Sequence, residues 1–154
     1  MSGNTQNSHI YFFAYGSLKQ DYFFGHLMKD QQFIGESYLE GSFQMFIHPE
    51  SFPCIIPCLE AASKVQGELF LLRDHSIIAD LDILEGHPEE YTRTECKVRT
   101  TDATEYKALV YIYNATQAPE GSIILQNARY HEDKKDDEYR RKIIIEHGLG
   151  RFLK

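Results

Sequence analysis

Glu85 is an acid at a position that helical geometry assigns to an apolar face. Asp74 to Gly86 reads as one helix, with Asp74 supplying an N-cap side chain and Gly86 and Pro88 supplying the stop. At about 100° per residue, with Ile77 as zero, Leu84 falls at about 340°, Leu81 at about 40° and Ile78 at about 100°. Glu85 falls at about 80°, inside that stripe, whereas Asp80 and Asp82 fall at about 300° and about 140°, at or beyond its edges. An acid against apolar surroundings is costly unless it is paired, protonated or used. Desolvation raises its pKa toward the range where it takes and returns a proton near neutrality. Such a group suits general acid/base chemistry. Geometry alone leaves a second reading open, in which a last-turn glutamate bends out to solvent.

Tyr15-Gly16-Ser17-Leu18 directly follows an apolar run, His9 to Tyr15. Glycine permits close approach of backbone to a ligand, and successive loop N–H groups form a nest for a carboxylate or a developing oxyanion. The tetrapeptide taken alone is equally an ordinary tight turn. After Glu85 the chain stops at Gly86, turns at Pro88 and enters a strand carrying Tyr91 and Arg93. Tyr91 is placed to orient the acid or line a pocket. Arg93 is read as pairing with a strand neighbour such as Glu95, in preference to binding a carboxylate.

Other chemistries lack their residues. The seven histidines show no HxH, HxxxH or HExxH spacing, so no metal site is expected. Ser17 has no G-x-S-x-G elbow, and Cys96 has no neighbouring histidine. Neither a P-loop nor a dinucleotide fingerprint is present. Cys54 and Cys58, separated by three residues, match neither a redox pair nor zinc-ligand spacing.

The elements that must carry these groups follow from periodicity and punctuation. The run from His9 to Tyr15 suits a strand buried on both faces. Tyr22 to Lys29 reads as a short helix. Strands are expected at Gln32 to Leu39, Ser42 to Ile47, Cys54 to Leu59 and Val65 to Leu72, before the helix ending at Glu85. Tyr91 to Thr100 and Tyr106 to Tyr113 form a hairpin about Thr101 to Thr104. Tyr139 to His147 is a helix stopped by Gly148 and Gly150. Six or seven short strands with few helices predict an α+β fold with a small, strongly curved sheet or barrel.

A chain of 154 residues is long enough for one domain with a proper core, here residues 9–154 after a polar, disordered tail at residues 1–8. The net charge of −7 argues against a nucleic-acid partner and against an anionic membrane surface. The start lacks a signal peptide, and no apolar run approaches membrane-spanning length. With an odd number of cysteines, the expected location is cytoplasmic with reduced thiols.

These blocks together resemble the γ-glutamylcyclotransferase-like family, which includes the γ-glutamylamine cyclotransferases. Phe13 to Lys19 is similar to that family's Y-G-[ST]-L loop, and Val65 to Phe70 to its V-x-G-E-[LV]-[FY] strand. Leu81 to Arg93 is similar to its L-D-x-[LF]-E-G-x-P-x-x-Y-x-R block, and Ala108 to Tyr113 to its closing strand. The resemblance implies a small mixed β-barrel with flanking helices and no cofactor. It implies that Glu85 is the catalytic acid/base and that Tyr15, Gly16, Ser17 and Leu18, with Tyr91 nearby, bind a small-molecule γ-glutamyl substrate. The implied products are 5-oxoproline and a free amine or amino acid. Asp21 stands where the family often has glycine, and the residues after Tyr113 match no family motif. A non-catalytic domain that binds a small ligand or partner in the same pocket is the alternative. A third reading is an unrelated barrel in which Glu85 is bonded to a tyrosine.

Overall fold

Side-chain alternation divides each strand between two cores. Phe12 and Ala14 join one buried cluster with Phe70, Leu72, Tyr91 and Tyr111. Phe13 and Tyr15 join another with Leu69, Val98, Ala108 and Val110. The first cluster also holds Ile77 and Leu81 of a helix, so it lies between helix and sheet. The second fills the sheet's closed interior.

The computed structural model describes residues 9–154, and the tail expected at residues 1–8 lies outside the described residues. The elements run β1 (Ile10–Ala14), β2 (Gln32–Leu39), β3 (Phe43–Ile47), β4 (Pro53–Pro57), β5 (Gln66–Leu72) and α1 (Ile77–Glu85). They continue with β6 (Tyr91–Thr100), β7 (Glu105–Tyr113), β8 (Ile123–Leu125) and α2 (Asp137–Glu146). Five strands close a barrel in the order β1-β5-β2-β6-β7, and a second sheet has the order β4-β3-β8. Barrel neighbours are antiparallel except β1 and β7, whose parallel pairing of Tyr11 with Ala108 and Phe12 with Leu109 closes the ring. The fold is therefore α+β, a small mixed β-barrel with flanking helices, as expected.

One glycine is required by close approach. A Cβ on Gly67 would sit 2.5 Å from the Ala14 carbonyl oxygen and 2.7 Å from Phe13 Cζ, so β5 can lie against β1 only without a side chain there.

Three expectations change. Tyr22 to Lys29 is not an α-helix but a set of turns with one 3₁₀ turn at Gly25–Met28. Its backbone bonds back to the preceding loop, Phe24 N–H to the Ser17 carbonyl and Tyr22 N–H to the Lys19 carbonyl, which leaves those groups unavailable for a helix ladder. The helix expected from Asp74 starts at Ile77. Asp74 Oδ1 accepts instead from Ser76 N–H at 3.0 Å and Ser76 Oγ at 2.7 Å, organising the turn before it. The strand β8 was not expected; three residues beside β3 are too few to show a period.

Candidate active site

The end of β1 feeds a loop that folds tightly on itself. Lys19 N–H donates to the Gly16 carbonyl at 3.1 Å, and Phe24 N–H to the Ser17 carbonyl at 2.9 Å. The N–H groups of Gly16, Ser17 and Leu18 have no backbone acceptor among the described residues. Gly16 is crowded: a Cβ there would lie 2.5 Å from Pro53 Cγ, so the loop can press against β4 only as glycine. The Tyr15 hydroxyl donates to the Tyr111 carbonyl at 2.6 Å, which ties the loop to β7. Lys19 is buried, and its ammonium donates to the Tyr130 carbonyl at 3.0 Å. Asp21, where the family favours glycine, has φ +67°, the left-handed conformation that glycine adopts without strain.

Glu85 closes α1. Gly86 follows at φ +67°, with Gly86 N–H bonded to the Ile83 carbonyl at 3.2 Å and His87 N–H to the Asp82 carbonyl at 2.9 Å. This double closure fixes the last turn, and Glu85 with it. One turn earlier, Asp82 pairs with Arg93 and accepts from the Tyr111 hydroxyl at 2.7 Å. Arg93 is thus not paired with Glu95; the partner is Asp82, brought across from α1 because β6 returns beneath the helix. His87 accepts the Arg93 N–H on Nδ1 at 3.0 Å, and the His87–Pro88 peptide is cis.

Glu85 is partly buried and lines a cavity of about 130 Å³ together with Tyr15, Gly16, Ser17, Leu18, Tyr91 and Tyr111. The structure therefore brings together every site residue named from the sequence. No hydrogen bond or ion pair reaches its carboxylate among the described residues, so it is not bonded to a tyrosine as the third reading requires. Burial, reinforced by the charge of Glu90, raises its pKa to about 8. Tyr91 is buried, and its hydroxyl donates to the Pro53 carbonyl at 3.1 Å, with Cys54 Sγ at 3.3 Å. It fixes the cavity wall and does not bond Glu85. Burial pushes the Cys54 thiol up to about 12, far from a reactive thiolate.

Sequence reasoning missed several lining residues. Phe52, Leu84 and Glu90 complete one side, and Ile143, Ile144, His147 and Leu149 complete another. The last group carried a readable signal in its helical spacing, i, i+1 and i+4, followed by Gly148. Among the described residues, no group of three or more His, Cys, Asp or Glu side chains is arranged to hold a metal ion. No helix among them is long and apolar enough to cross a membrane.

Comparison with known proteins bears on the family and the fold. Residues 12–132 match the family model for gamma-glutamyl cyclotransferase, AIG2-like. A protein of Methanocaldococcus jannaschii, provisionally named as a gamma-glutamylcyclotransferase, is 31% identical over 108 residues, spanning 67% of this chain and 83% of the relative. Among solved structures, an AIG2-like protein from Mus musculus superposes with a TM-score of 0.67 at 23% identity, over 82% of this chain and 97% of that one. A solved gamma-glutamyl cyclotransferase gives a TM-score of 0.58 at 17% identity, over 92% and 82% of the two chains. At these identities the structural likeness speaks for the fold.

Proposed function

We propose that this chain, which belongs to the gamma-glutamyl cyclotransferase, AIG2-like family, releases 5-oxoproline and a free amine or amino acid from a γ-glutamyl compound. The observation that carries the reading is one unpaired acid, Glu85, facing the same cavity as the loop N–H groups of Gly16, Ser17 and Leu18. The cavity, about 130 Å³, is well below the roughly 300–1,000 Å³ of drug-sized pockets, which suits one small moiety such as the glutamyl group.

In the proposed reaction the substrate's α-amine attacks its own γ-carbonyl carbon, forming the ring C–N bond. Glu85 takes the proton from that amine. The carbonyl oxygen becomes an oxyanion held by the loop N–H groups, a contribution of about 3–4 kcal/mol per donor in hydrolases. The bond to the leaving nitrogen then breaks, and Glu85 returns its proton to that nitrogen. Both duties need a carboxyl poised near neutrality, which a pKa of about 8 provides. Confinement of the glutamyl chain supplies the proximity that ring closure needs. No cofactor takes part.

The test is 5-oxoproline release from γ-glutamyl amino acids and γ-glutamyl amines, with Glu85→Gln as the paired variant. Release that disappears in the variant supports the mechanism. An active Gln variant refutes the role of Glu85, and binding without release in the wild type moves the reading to a ligand-binding domain.

A further inference from the structure

The cavity wall contributed by α2 lies outside the family-matched segment, residues 12–132. Ile143, Ile144 and the C-cap residue His147 fall on one side of α2 by helical spacing. Gly148, at φ +75°, then turns the chain. Gly148 N–H bonds the Ile145 carbonyl at 3.0 Å and Leu149 N–H bonds the Ile144 carbonyl at 2.9 Å. This helix closure brings the residue after the glycine back over the last turn. Leu149 therefore joins Ile143 and Ile144 in the cavity wall.

Exposure orders the cavity from floor to mouth. Ala14, Tyr15, Leu18, Phe24, Tyr91 and Tyr111 are buried and form the floor. Ile143, Ile144, Leu149 and Phe52 are half-buried, while His147 and Glu90 are exposed. A glutamyl group that fills the floor directs its amide substituent past the half-buried side chains. His147 Nε2 lies 3.7 Å from a Glu50 carboxylate oxygen.

We propose that Ile143, Ile144 and Leu149 form an apolar subsite for the substituent on the released nitrogen, selecting γ-glutamyl compounds of bulky apolar amino acids over those of glycine. The proposal rests on the cyclotransferase reading above. A well-buried methylene or two changes specificity by roughly tenfold or more, and a half-buried wall sets the expectation at the low end, about tenfold.

The experiment compares kcat/KM for γ-glutamyl-leucine and γ-glutamyl-glycine in the wild type and in Ile143→Ser and Ile144→Ser. The ratio between the two substrates cancels any loss of folded enzyme. The wild type should favour the leucine compound about tenfold, and each variant should reduce that preference severalfold. An equal wild-type ratio, or a ratio that neither variant moves, overturns the subsite while the cyclotransferase reading stands. If neither compound is turned over, the reading falls for γ-glutamyl amino acids, and calorimetry on the wild type decides the subsite. Tighter binding of γ-glutamyl-leucine than of γ-glutamyl-glycine then sustains it, and equal binding overturns it.

Discussion

Replacing Glu85 by glutamine should make the protein more stable at alkaline pH and leave it unchanged at pH ~3.5. In the fold the carboxyl titrates at about 8 because burial, then Glu90, disfavours its charge. In the unfolded chain it titrates at about 4.3. Between those values the unfolded chain has released the proton and the folded protein still holds it. Wild-type stability therefore falls by about 1.4 kcal/mol per pH unit across that window. Below about 4.3 both states are protonated and the effect vanishes; above about 8 it is complete. The full span corresponds to about 5 kcal/mol as an upper bound. Glu85 is only partly buried and its cavity opens to water, so about half, or 2–3 kcal/mol, is expected. Glutamine keeps the shape and removes the titration. Urea midpoints of both proteins from pH ~3.5 to pH ~8.5 measure the difference, in which the other carboxylates cancel. The curves should meet at pH ~3.5 and separate steadily toward pH ~8. Parallel curves would refute the desolvated acid, whatever the activity of the variant.

For turnover itself, kcat/KM should rise with pH through about 8 as Glu85 becomes able to accept a proton. Glu90→Gln should move that rise toward acid, because removing a neighbouring negative charge favours ionised Glu85; an unmoved profile contradicts this. Asp82→Asn breaks the tie from α1 to Arg93 and weakens that to Tyr111. It should cost about 2 kcal/mol in chemical denaturation and lower kcat more than it raises KM. Gly16→Ala forces a methyl to within 2.5 Å of Pro53 Cγ, and should cost about 1–3 kcal/mol together with much of kcat/KM. Asp21→Gly should raise stability by about 0.5 kcal/mol, since the residue already holds φ +67°; a lower melting temperature would show that the aspartate side chain has its own role.

Local signals made Glu85 legible: one helix, one stripe and one glycine stop lie within thirteen residues. The same is true of the hairpin β6–β7, where Thr100 N–H bonds the Thr104 carbonyl at 3.0 Å as the turn spacing suggested. The Asp82, Arg93 and Tyr111 cluster was not legible, because it joins three elements and only the helix wheel pointed Asp82 toward an edge. Nor was the contribution of Ile143 to Leu149, although its helix and its glycine stop were readable. A helical stripe shows that something will be covered and does not show what covers it. The 3₁₀ turn at Gly25–Met28 shows the opposite failure, since a plausible local helix lost its backbone partners to the loop before it.

The parallel seam between β1 and β7 joins residues about a hundred positions apart. Such a pairing must meet its loop-closure entropy before any contact rewards it, so it is a late event on the way to the native state. Until it forms, β1 presents an open edge able to pair with another chain. Tyr111 also arrives only with β7, and without it the wall beside Glu85 is incomplete. A chain still being made, or one stalled before the seam closes, therefore carries an ordinary solvated glutamate. The desolvated Glu85 carboxyl comes into being with the closure of the barrel, so a half-folded copy is exposed to aggregation before burial has raised that carboxyl's pKa.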